Sequence, residues 1–329
     1  MSAAAHDRSQ RTALRGRPSA PPQPAAPPQP AAPSALPRRR PGRGRDLRTA
    51  VLFLGPALAA IVLLRLIPFA GAAYSTLFER VGVGLLAEQR FAWFANYERL
   101  LSDPLFLGTL WRTIAFNLVI NPVQIALAMA VSVLLVQHLP GRGLWRVFVF
   151  VPCTVPLVGS SVAWGVALRQ DGPVNGVLAA LGLAPQPFFT SPQQALFSIA
   201  VVASWIGIGY WMLFLIGGLN EVSQELYEAA SLDGAGRWRS FWSVTVPMMK
   251  RPLLFVLVAD TVANFVLFVP MQLLTNGGPN ESTTMLMFDA YRRTYTYSQP
   301  NLGATAILIL TLIMLAIVAV QFRLLKEED

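Results

Sequence analysis

Residues 227–247 read YEAASLDGAGRWRSFWSVTVP, a polar and charged stretch that lies between two long apolar runs of a 329-residue chain. A connector between two helices needs only a few residues. This one has more than twenty, so the sequence indicates a structured loop with a role of its own.

The local pattern of this stretch predicts two short helices joined by a hinge. Ser223 is a suitable N-cap for the first helix, because its hydroxyl can accept a hydrogen bond from a free backbone N–H. Gly234 supplies the left-handed residue that ends such a helix. The second helix is predicted over Arg237–Thr245, and Pro247 is expected to end or kink it.

One face of the first predicted helix is small and smooth, because Leu226, Ala229 and Ala230 recur at helical spacing. Such a face permits close approach by another protein. The alternative is an interfacial helix on the membrane surface, which suits the aromatic second half with Trp238 and Trp242. The alanine-rich half lacks apolar bulk for lipid, so we favour docking for it.

Composition places the chain in a membrane. The residues are 54% hydrophobic and 13% charged, whereas soluble domains are about a quarter charged. The net charge of +9 is spread over the tail and short loops, which is typical of a topology signal rather than a nucleic-acid site. The single cysteine, Cys153, excludes an internal disulfide and is interpreted as a small buried hydrophobe.

The first 48 residues are rich in proline, alanine and arginine. They contain too few apolar side chains to offset the entropy of ordering, so residues 1–48 are predicted to be a disordered cytoplasmic tail. Its basic cluster at Arg38–Arg40 has two interpretations. We favour a topology-setting role over contact with anionic lipid headgroups.

Six apolar runs predict six transmembrane helices, because each has about the twenty residues that cross the hydrocarbon core and only a helix satisfies its own backbone there. Pro152 and Pro156 are expected to kink the third. The fold class is therefore all-α integral membrane, with residues 49–329 as one six-helix domain. The runs are 49–71, 108–137, 144–168, 195–219, 252–274 and 303–325.

The distribution of lysine and arginine predicts the orientation. Six spans put both termini on one side, and that side carries eighteen of these residues against six on the other. Basic residues concentrate on the cytoplasmic side. Both termini and the loop 220–249 are therefore predicted to face the cytoplasm; the resemblance described below implies that the membrane is the inner membrane of a bacterial cell.

The chain is not expected to hydrolyse ATP or to be an enzyme. A phosphate-binding loop needs Gly-Lys-Ser/Thr, and the only lysines, Lys250 and Lys326, do not follow glycine. Two histidines and one cysteine are too few for a zinc cluster. No metal or cofactor is therefore expected in this chain.

Polar residues inside membrane spans are candidates for contact with a solute. Asp260 and Asn264 lie four residues apart on the fifth span, on a face that Phe268 is predicted to extend. The alternative is purely structural: Asp260 pairs with Arg65, and Asn264 bonds between helices. Further candidates on the fourth and second spans are Tyr210, Trp211, Asn117 and Gln124.

The stretch 227–247 resembles the EAA loop of the permeases of bacterial ATP-binding-cassette importers. The matching residues are Glu228-Ala229-Ala230, Asp233-Gly234-Ala235, Trp238, Phe241 and Pro247. A second stretch, 273–295 with LLTNGGPNESTT, is similar to the Leu-Thr-x-Gly-Gly-Pro loop of the carbohydrate-uptake permeases. The resemblance covers about residues 50–325. Ser223 stands where the family often has proline, and the tail is outside the family pattern.

The resemblance implies a type I importer architecture and a division of labour between subunits. The EAA loop would be a coupling helix that inserts into a groove of a separate ATPase dimer, where ATP and Mg²⁺ bind. Glu228 would face basic residues there, and Gly234 would permit the turn. The other implied partners are a second permease, an extracytoplasmic solute-binding protein and membrane lipid. No nucleic-acid partner is implied.

The function implied is the permease subunit of an ATP-driven sugar importer, which forms half of the translocation pathway. The alternative is a self-sufficient secondary carrier for a small polar solute, which would favour more spans and internal repeats. A membrane glycosyltransferase would need catalytic acids grouped in one loop. The carried solute, a sugar or a glycerol phosphate, stays open.

Overall fold

The computed structural model describes residues 43–82, 88–137 and 140–325. The chain divides after Ala59 into two compact units, of which the second holds all elements from Ala60 onward. The helices are α1 Arg43–Ile61, α2 Ile67–Ser75, α3 Ala95–Leu101, α4 Pro104–Val136, α5 Arg142–Thr154, α6 Leu157–Ala167, α7 Pro173–Ala180, α8 Ala195–Glu221, α9 Gln224–Leu232, α10 Arg237–Ser240, α11 Val246–Met248, α12 Lys250–Phe265, α13 Leu286–Tyr291 and α14 Pro300–Leu325. The strands β1 Phe78–Val81 and β2 Glu88–Phe91 form one antiparallel hairpin.

Within the described residues, four helices are long and apolar enough to cross a membrane, and the number reaches the predicted six when each of two bent helix pairs is counted as one span. The single spans are Val51–Ser75, Pro104–Val136, Ala195–Glu221 and Pro300–Leu324. The bent pairs are Arg142–Thr154 with Leu157–Ala167 and Arg237–Met248 with Lys250–Phe265.

Helix α1 begins inside the predicted tail. It starts at Arg43, six residues before the expected boundary, because arginine and leucine have favourable helix propensities. Residues 43–48 are therefore helical in the structure, where the sequence predicts disorder. The rest of the predicted tail, residues 1–42, lies outside the described residues.

The third span is broken rather than kinked. Helices α5 and α6 meet at 100°, and Val155 between them is extended at φ −84° and ψ 128°. The ring of Pro156 clashes with a helical conformation at the residue before it. The predicted kink is therefore a full break at Pro156, because the proline ends one helix and starts another.

The fifth span is also interrupted, because the predicted helix over 252–274 is broken at residues 266–268. Helix α12 ends at Phe265, and a separate π-helical turn covers Met271–Thr275. Pro270 explains the break, because it has no N–H for the carbonyl of Val266 and its ring clashes with that carbonyl.

Helices α4, α8, α12 and α14 form the packed core of the second unit. Glycines allow two close approaches: a Cβ on Gly209 would overlap the carbonyl oxygen of Val149, and one on Gly218 would lie 2.6 Å from the ring of Pro252. These contacts set α8 against α5 and α12. Small residues of this kind are how membrane helices pack closely.

The hairpin and the EAA-like loop lie at opposite ends of this core. At one end, Asn301 at the start of α14 donates to the Phe78 carbonyl at 2.6 Å. At the other, the ends of α4 and α8 line a cavity of about 930 Å³ together with Tyr227. The long helices therefore connect the hairpin at one end of the core with the EAA-like loop at the other end.

Candidate functional site

The segment 220–249, which we call the coupling loop, folds largely as its sequence predicts. Ser223 Oγ accepts a hydrogen bond from the Glu225 N–H at 3.3 Å, which confirms the N-cap of α9. Gly234 has φ +76°, and the Ala235 N–H bonds back to the Ala230 carbonyl at 2.9 Å. The predicted left-handed end of the helix is therefore confirmed.

The second half of the coupling loop continues further than predicted. Helix α10 passes through a π-helical turn at Phe241–Thr245 into α11, which ends at Met248. Pro247 lies inside this run, and the 71° bend to α12 falls at Met249. Pro247 follows directly after the π-helical turn, at the second residue of α11.

The inner face of the coupling loop is held against the core. The Tyr227 hydroxyl bonds to Thr245 Oγ1 at 2.9 Å, which ties α9 to the second half. Phe241 and Val222 pack against a buried cluster that includes Met249. The loop is therefore a supported element rather than a free connector.

The outer face of the coupling loop presents the residues expected to dock. Glu228 and Ala229 are exposed, and Ala230 is half-buried. Leu232 is 89% exposed and Trp238 is 73% exposed. Large apolar side chains left in water on one face mark an interaction surface. The other two predicted coupling residues, Asp233 and Ala235, form the turn itself: Asp233 is exposed and Ala235 half-buried.

The aromatic side chains in the second half of the coupling loop do not all face the same way. The rings of Trp238, Phe241 and Trp242 contact one another at 5.1 to 5.9 Å. Phe241 turns inward to the core, while Trp242 is 55% exposed beside Trp238. Sequence reasoning missed Leu232, whose signal was a large apolar side chain directly before the helix end.

A buried polar network surrounds Asp260, which is 2% exposed. Its Oδ1 accepts from Trp211 Nε1 at 2.6 Å and from Asn264 Nδ2 at 3.2 Å. The amide of Gln124, turned so that its nitrogen faces the carboxylate, donates to it at 2.8 and 3.1 Å. In that orientation its oxygen accepts from the Ser204 hydroxyl at 3.0 Å.

The network extends across four helices. Asn264 Nδ2 donates to Asn121 Oδ1 at 2.8 Å, and the Asn121 amide donates to Thr261 Oγ1 at 3.0 Å. Gln321 on α14 also donates to Thr261, at 2.8 Å. Buried groups that satisfy one another in this way hold α4, α8, α12 and α14 in one arrangement.

The structure brings together Asp260, Asn264 and Trp211 from the predicted solute path, with Gln124 from the second span. The alternative pairing of Asp260 with Arg65 is not formed: Arg65 is exposed, and the neutral N–H groups of Trp211 and Asn264 face the carboxylate instead. Sequence reasoning missed Asn121, although its spacing from Asn117 and Gln124 indicates one face of a helix. Asn117 itself bonds within α4, to the Thr113 carbonyl at 2.9 Å.

Two predicted residues lie elsewhere. Phe268 does not extend the Asp260 face, because α12 ends before it, and its ring stacks on Tyr291 at 5.5 Å. Tyr210 is 45% exposed and turns to the surface of α8. There it lines a cleft of about 400 Å³ with Phe150, Cys153, Thr154, Leu213 and Phe214.

The Gly-Gly-Pro segment after the fifth span is tied to α4. Arg292 makes two hydrogen bonds to the Glu281 carboxylate, at 3.0 and 2.7 Å. The hydrogen bond from Arg292 lowers the pKa of Glu281 below its ordinary value. Arg112 Nε on α4 donates to the Thr284 carbonyl at 3.2 Å. Gly277 leaves no room for a side chain, because a Cβ there would lie 2.9 Å from the ring of Phe288.

The described part of the chain contains no cluster of side chains suited to binding a metal ion. Across residues 43–82, 88–137 and 140–325, no group of three or more histidine, cysteine, aspartate or glutamate side chains is placed to hold a metal ion.

Comparison with known proteins identifies related chains of similar length. The chain is 31% identical to the sulfoquinovosyl glycerol transport system permease protein SmoG of Agrobacterium fabrum, over 86% of this chain and 92% of that protein. It is 30% identical to the lactose transport system permease protein LacF of Rhizobium radiobacter, over 84% and 94%. It is also 30% identical to the trehalose/maltose transport system permease protein MalF of Thermococcus litoralis, over 82% and 90%.

Solved structures show the same fold. A chain from the crystal structure of a bacterial ABC transporter involved in import of the acidic polysaccharide alginate has a TM-score of 0.67 at 19% identity, covering 86% of this chain and 98% of its own. A chain from that transporter in complex with an alginate pentasaccharide-bound periplasmic protein reaches 0.70, over 86% and 96%. The type I ABC importer permease fold is therefore confirmed.

The family assignment rests on the region that holds both candidate sites. Residues 123–326 match the model of the family described as binding-protein-dependent transport system inner membrane component. This range contains the coupling loop and all of the polar network except Asn121, and the resemblance seen in the sequence is thereby confirmed. The chain belongs to the family of inner membrane components of binding-protein-dependent transport systems.

Proposed function

We propose that this chain is the permease subunit of an ATP-driven importer for a sugar or glycoside, and that it forms one half of the pathway through the membrane. The observation that carries this proposal is the coupling loop: it is folded, supported from within, and turned outward with a docking face. The relatives named above are permeases for glycosides and disaccharides, which supports the substrate class.

The coupling loop is proposed to seat in a groove of a separate ATPase dimer on the cytoplasmic side, where ATP and Mg²⁺ bind. Leu232 and Trp238 supply apolar area that docking would remove from water. Glu228 supplies a negative charge for basic residues of the ATPase, and Ala229 allows close approach. ATP-driven closure moves membrane helices only through a rigid element held on both sides.

The solute path is proposed to run along α8 and α12. Tyr210 offers a half-exposed ring that can stack on the apolar face of a sugar, beside Phe214 in the surface cleft. Asn264, Asp260 and Trp211 satisfy one another inside the subunit. They would meet sugar hydroxyls only after α8 and α12 separate, so we assign them to the transport state and Tyr210 to first contact.

The remaining partners follow from the family. A second permease would complete the pathway, and an extracytoplasmic binding protein would deliver the solute. A related transporter has been crystallised with such a periplasmic protein. We propose that both termini face the cytoplasm. A self-sufficient carrier is the weaker alternative, because the coupling loop would then have no role.

Reconstitution in liposomes tests this proposal. The chain purified with its co-expressed ATPase and second permease is expected to take up a radiolabelled solute from the panel lactose, trehalose and glycerol phosphate only when ATP and a binding protein are supplied. Glu228→Lys is expected to abolish uptake at a normal membrane level. Glu98→Lys, the same charge reversal at an exposed acid on α3, is the control and should transport normally.

Two outcomes would overturn the proposal. Uptake by this chain alone, without an ATPase, would favour the carrier. Normal uptake by Glu228→Lys would remove the coupling loop from the mechanism.

A further inference from the structure

A continuous row of aromatic rings runs from the end of α2 across the hairpin. Tyr74, Phe78, Phe91 and Trp93 contact one another in order, edge to face, with centroid distances of 5.0, 5.2 and 4.8 Å. We call these four residues the aromatic ridge. Phe94 follows directly and stands beside it.

The aromatic ridge faces outward. Tyr74 is 63% exposed, Phe91 44% and Trp93 66%, and the neighbouring Phe94 is 66% exposed. A run of exposed rings of this kind is unfavourable in water, and contiguous apolar patches mark interaction surfaces. Something other than bulk water is therefore expected to cover the ridge.

The aromatic ridge is held rigidly in this position. The Asn96 amide donates to the carbonyls of Thr76 and Phe78, both at 2.8 Å. Trp93 has φ +49°, a conformation that bulky residues rarely adopt and that persists only when the surroundings impose it. The fold therefore keeps the indole pointing away from the core.

The position of the ridge along the chain specifies its surroundings. The first span ends at Ser75 and the second begins at Pro104, so the segment between them emerges from and returns to one membrane surface. Tyr74 lies in the last turn of the first span, and Phe78 follows within a few residues. At about 3.3 Å per extended residue, the rings lie at headgroup depth.

We infer that the aromatic ridge lies in the membrane interface and contacts lipid, at the surface opposite the coupling loop. Tryptophan and tyrosine favour this depth, because their rings are apolar at one end and polar at the other. The charges of Glu79 and Arg90 on the hairpin do not prevent contact with lipid. The two residues lie opposite each other on the paired strands, and opposite charges in that arrangement offset each other.

Site-directed spin labelling tests this inference on the assembled transporter in nanodiscs of phosphatidylcholine and phosphatidylglycerol. In a Cys153→Ser background, a nitroxide is attached at Trp93→Cys or, in a second variant, at Phe94→Cys. The control label is at Glu88→Cys, an exposed residue at the far end of the same hairpin. The accessibility of each label to oxygen and to a water-soluble nickel chelate is measured.

Lipid contact predicts that the ratio of oxygen to nickel accessibility is several-fold higher at positions 93 and 94 than at position 88. An equal ratio at all three positions would place the ridge in water and overturn the inference. Exclusion of both reagents at 93 and 94 would mean that a second permease or the binding protein covers the ridge, which also overturns it.

Discussion

Replacing Gly234 by alanine is expected to distort the turn between the two halves of the coupling loop. Gly234 has φ +76°, and a Cβ added there would have no atom within 4 Å. Space is therefore no obstacle, and the whole effect comes from the backbone conformation. A left-handed conformation costs a non-glycine residue about 1 to 2 kcal/mol.

That cost is large for a local element. A change of 1 to 2 kcal/mol shifts an equilibrium by about 5- to 30-fold, here between the native turn and other conformations of the coupling loop. Uptake coupled to ATP hydrolysis is expected to fall several-fold in Gly234→Ala. Gly234→Asn is expected to recover part of the loss, because asparagine tolerates this conformation better than alanine does.

The assay compares sugar uptake and ATP hydrolysis in proteoliposomes that contain the complete transporter. Gly236→Ala is the matched control: Gly236 has φ −70° and also has no atom within 4 Å of an added Cβ. If Gly234→Ala and Gly236→Ala both behave like the wild type, the turn does not govern coupling and the reasoning fails.

Three further changes have expected outcomes. Leu232→Glu should leave the fold unchanged, because the side chain is 89% exposed. It should weaken ATPase binding about tenfold or more, since a buried leucine contributes about 1.5 to 3 kcal/mol. Gly209→Ala should lower the thermal midpoint through overpacking of about 1 to 3 kcal/mol, whereas Gly217→Ala has free space and should not. Glu281→Gln should flatten the acid limb of the stability profile: the pKa of Glu281 is lowered, so the wild type keeps this ion pair above the ordinary pKa and loses it as the pH falls through the lowered value. The effect should stay below about 1 kcal/mol, because the Glu281 side chain is 45% exposed.

Each of these expectations has a contradicting result. Leu232→Glu that binds the ATPase as well as the exposed control Ser231→Glu would remove Leu232 from the docking face. Equal thermal midpoints for Gly209→Ala and Gly217→Ala would mean that α5 yields to the added methyl group. Parallel acid profiles of the wild type and Glu281→Gln would show that the bond to Arg292 contributes nothing measurable.

Features decided by near neighbours could be predicted from the sequence. The N-cap at Ser223 and the left-handed Gly234 depend on bonds spanning a few residues, so their signals lie within the quoted stretch. The number of spans depends only on the length of apolar runs. The family pattern added the role of the coupling loop, which local patterns cannot name.

Features decided by packing were predicted less well. Trp211 reaches Asp260 across 49 positions of the chain, and nothing in either neighbourhood identifies the other as its partner. The face through Phe268 was extended by helical spacing alone. The break that displaces it has a local cause in Pro270, which stands four residues after Val266, the C-cap residue of α12.

The 71° bend at Met249 joins two helical segments of unequal length: Arg237–Met248 is about 18 Å long, and α12 is about 24 Å long. If the two segments rotate together about the bend, we expect a displacement of Arg237–Met248 to change direction and to be larger by about a third at the far end of α12. Asp260 and Asn264 bond α12 to neighbouring helices, so this displacement must either move those helices as well or break their hydrogen bonds.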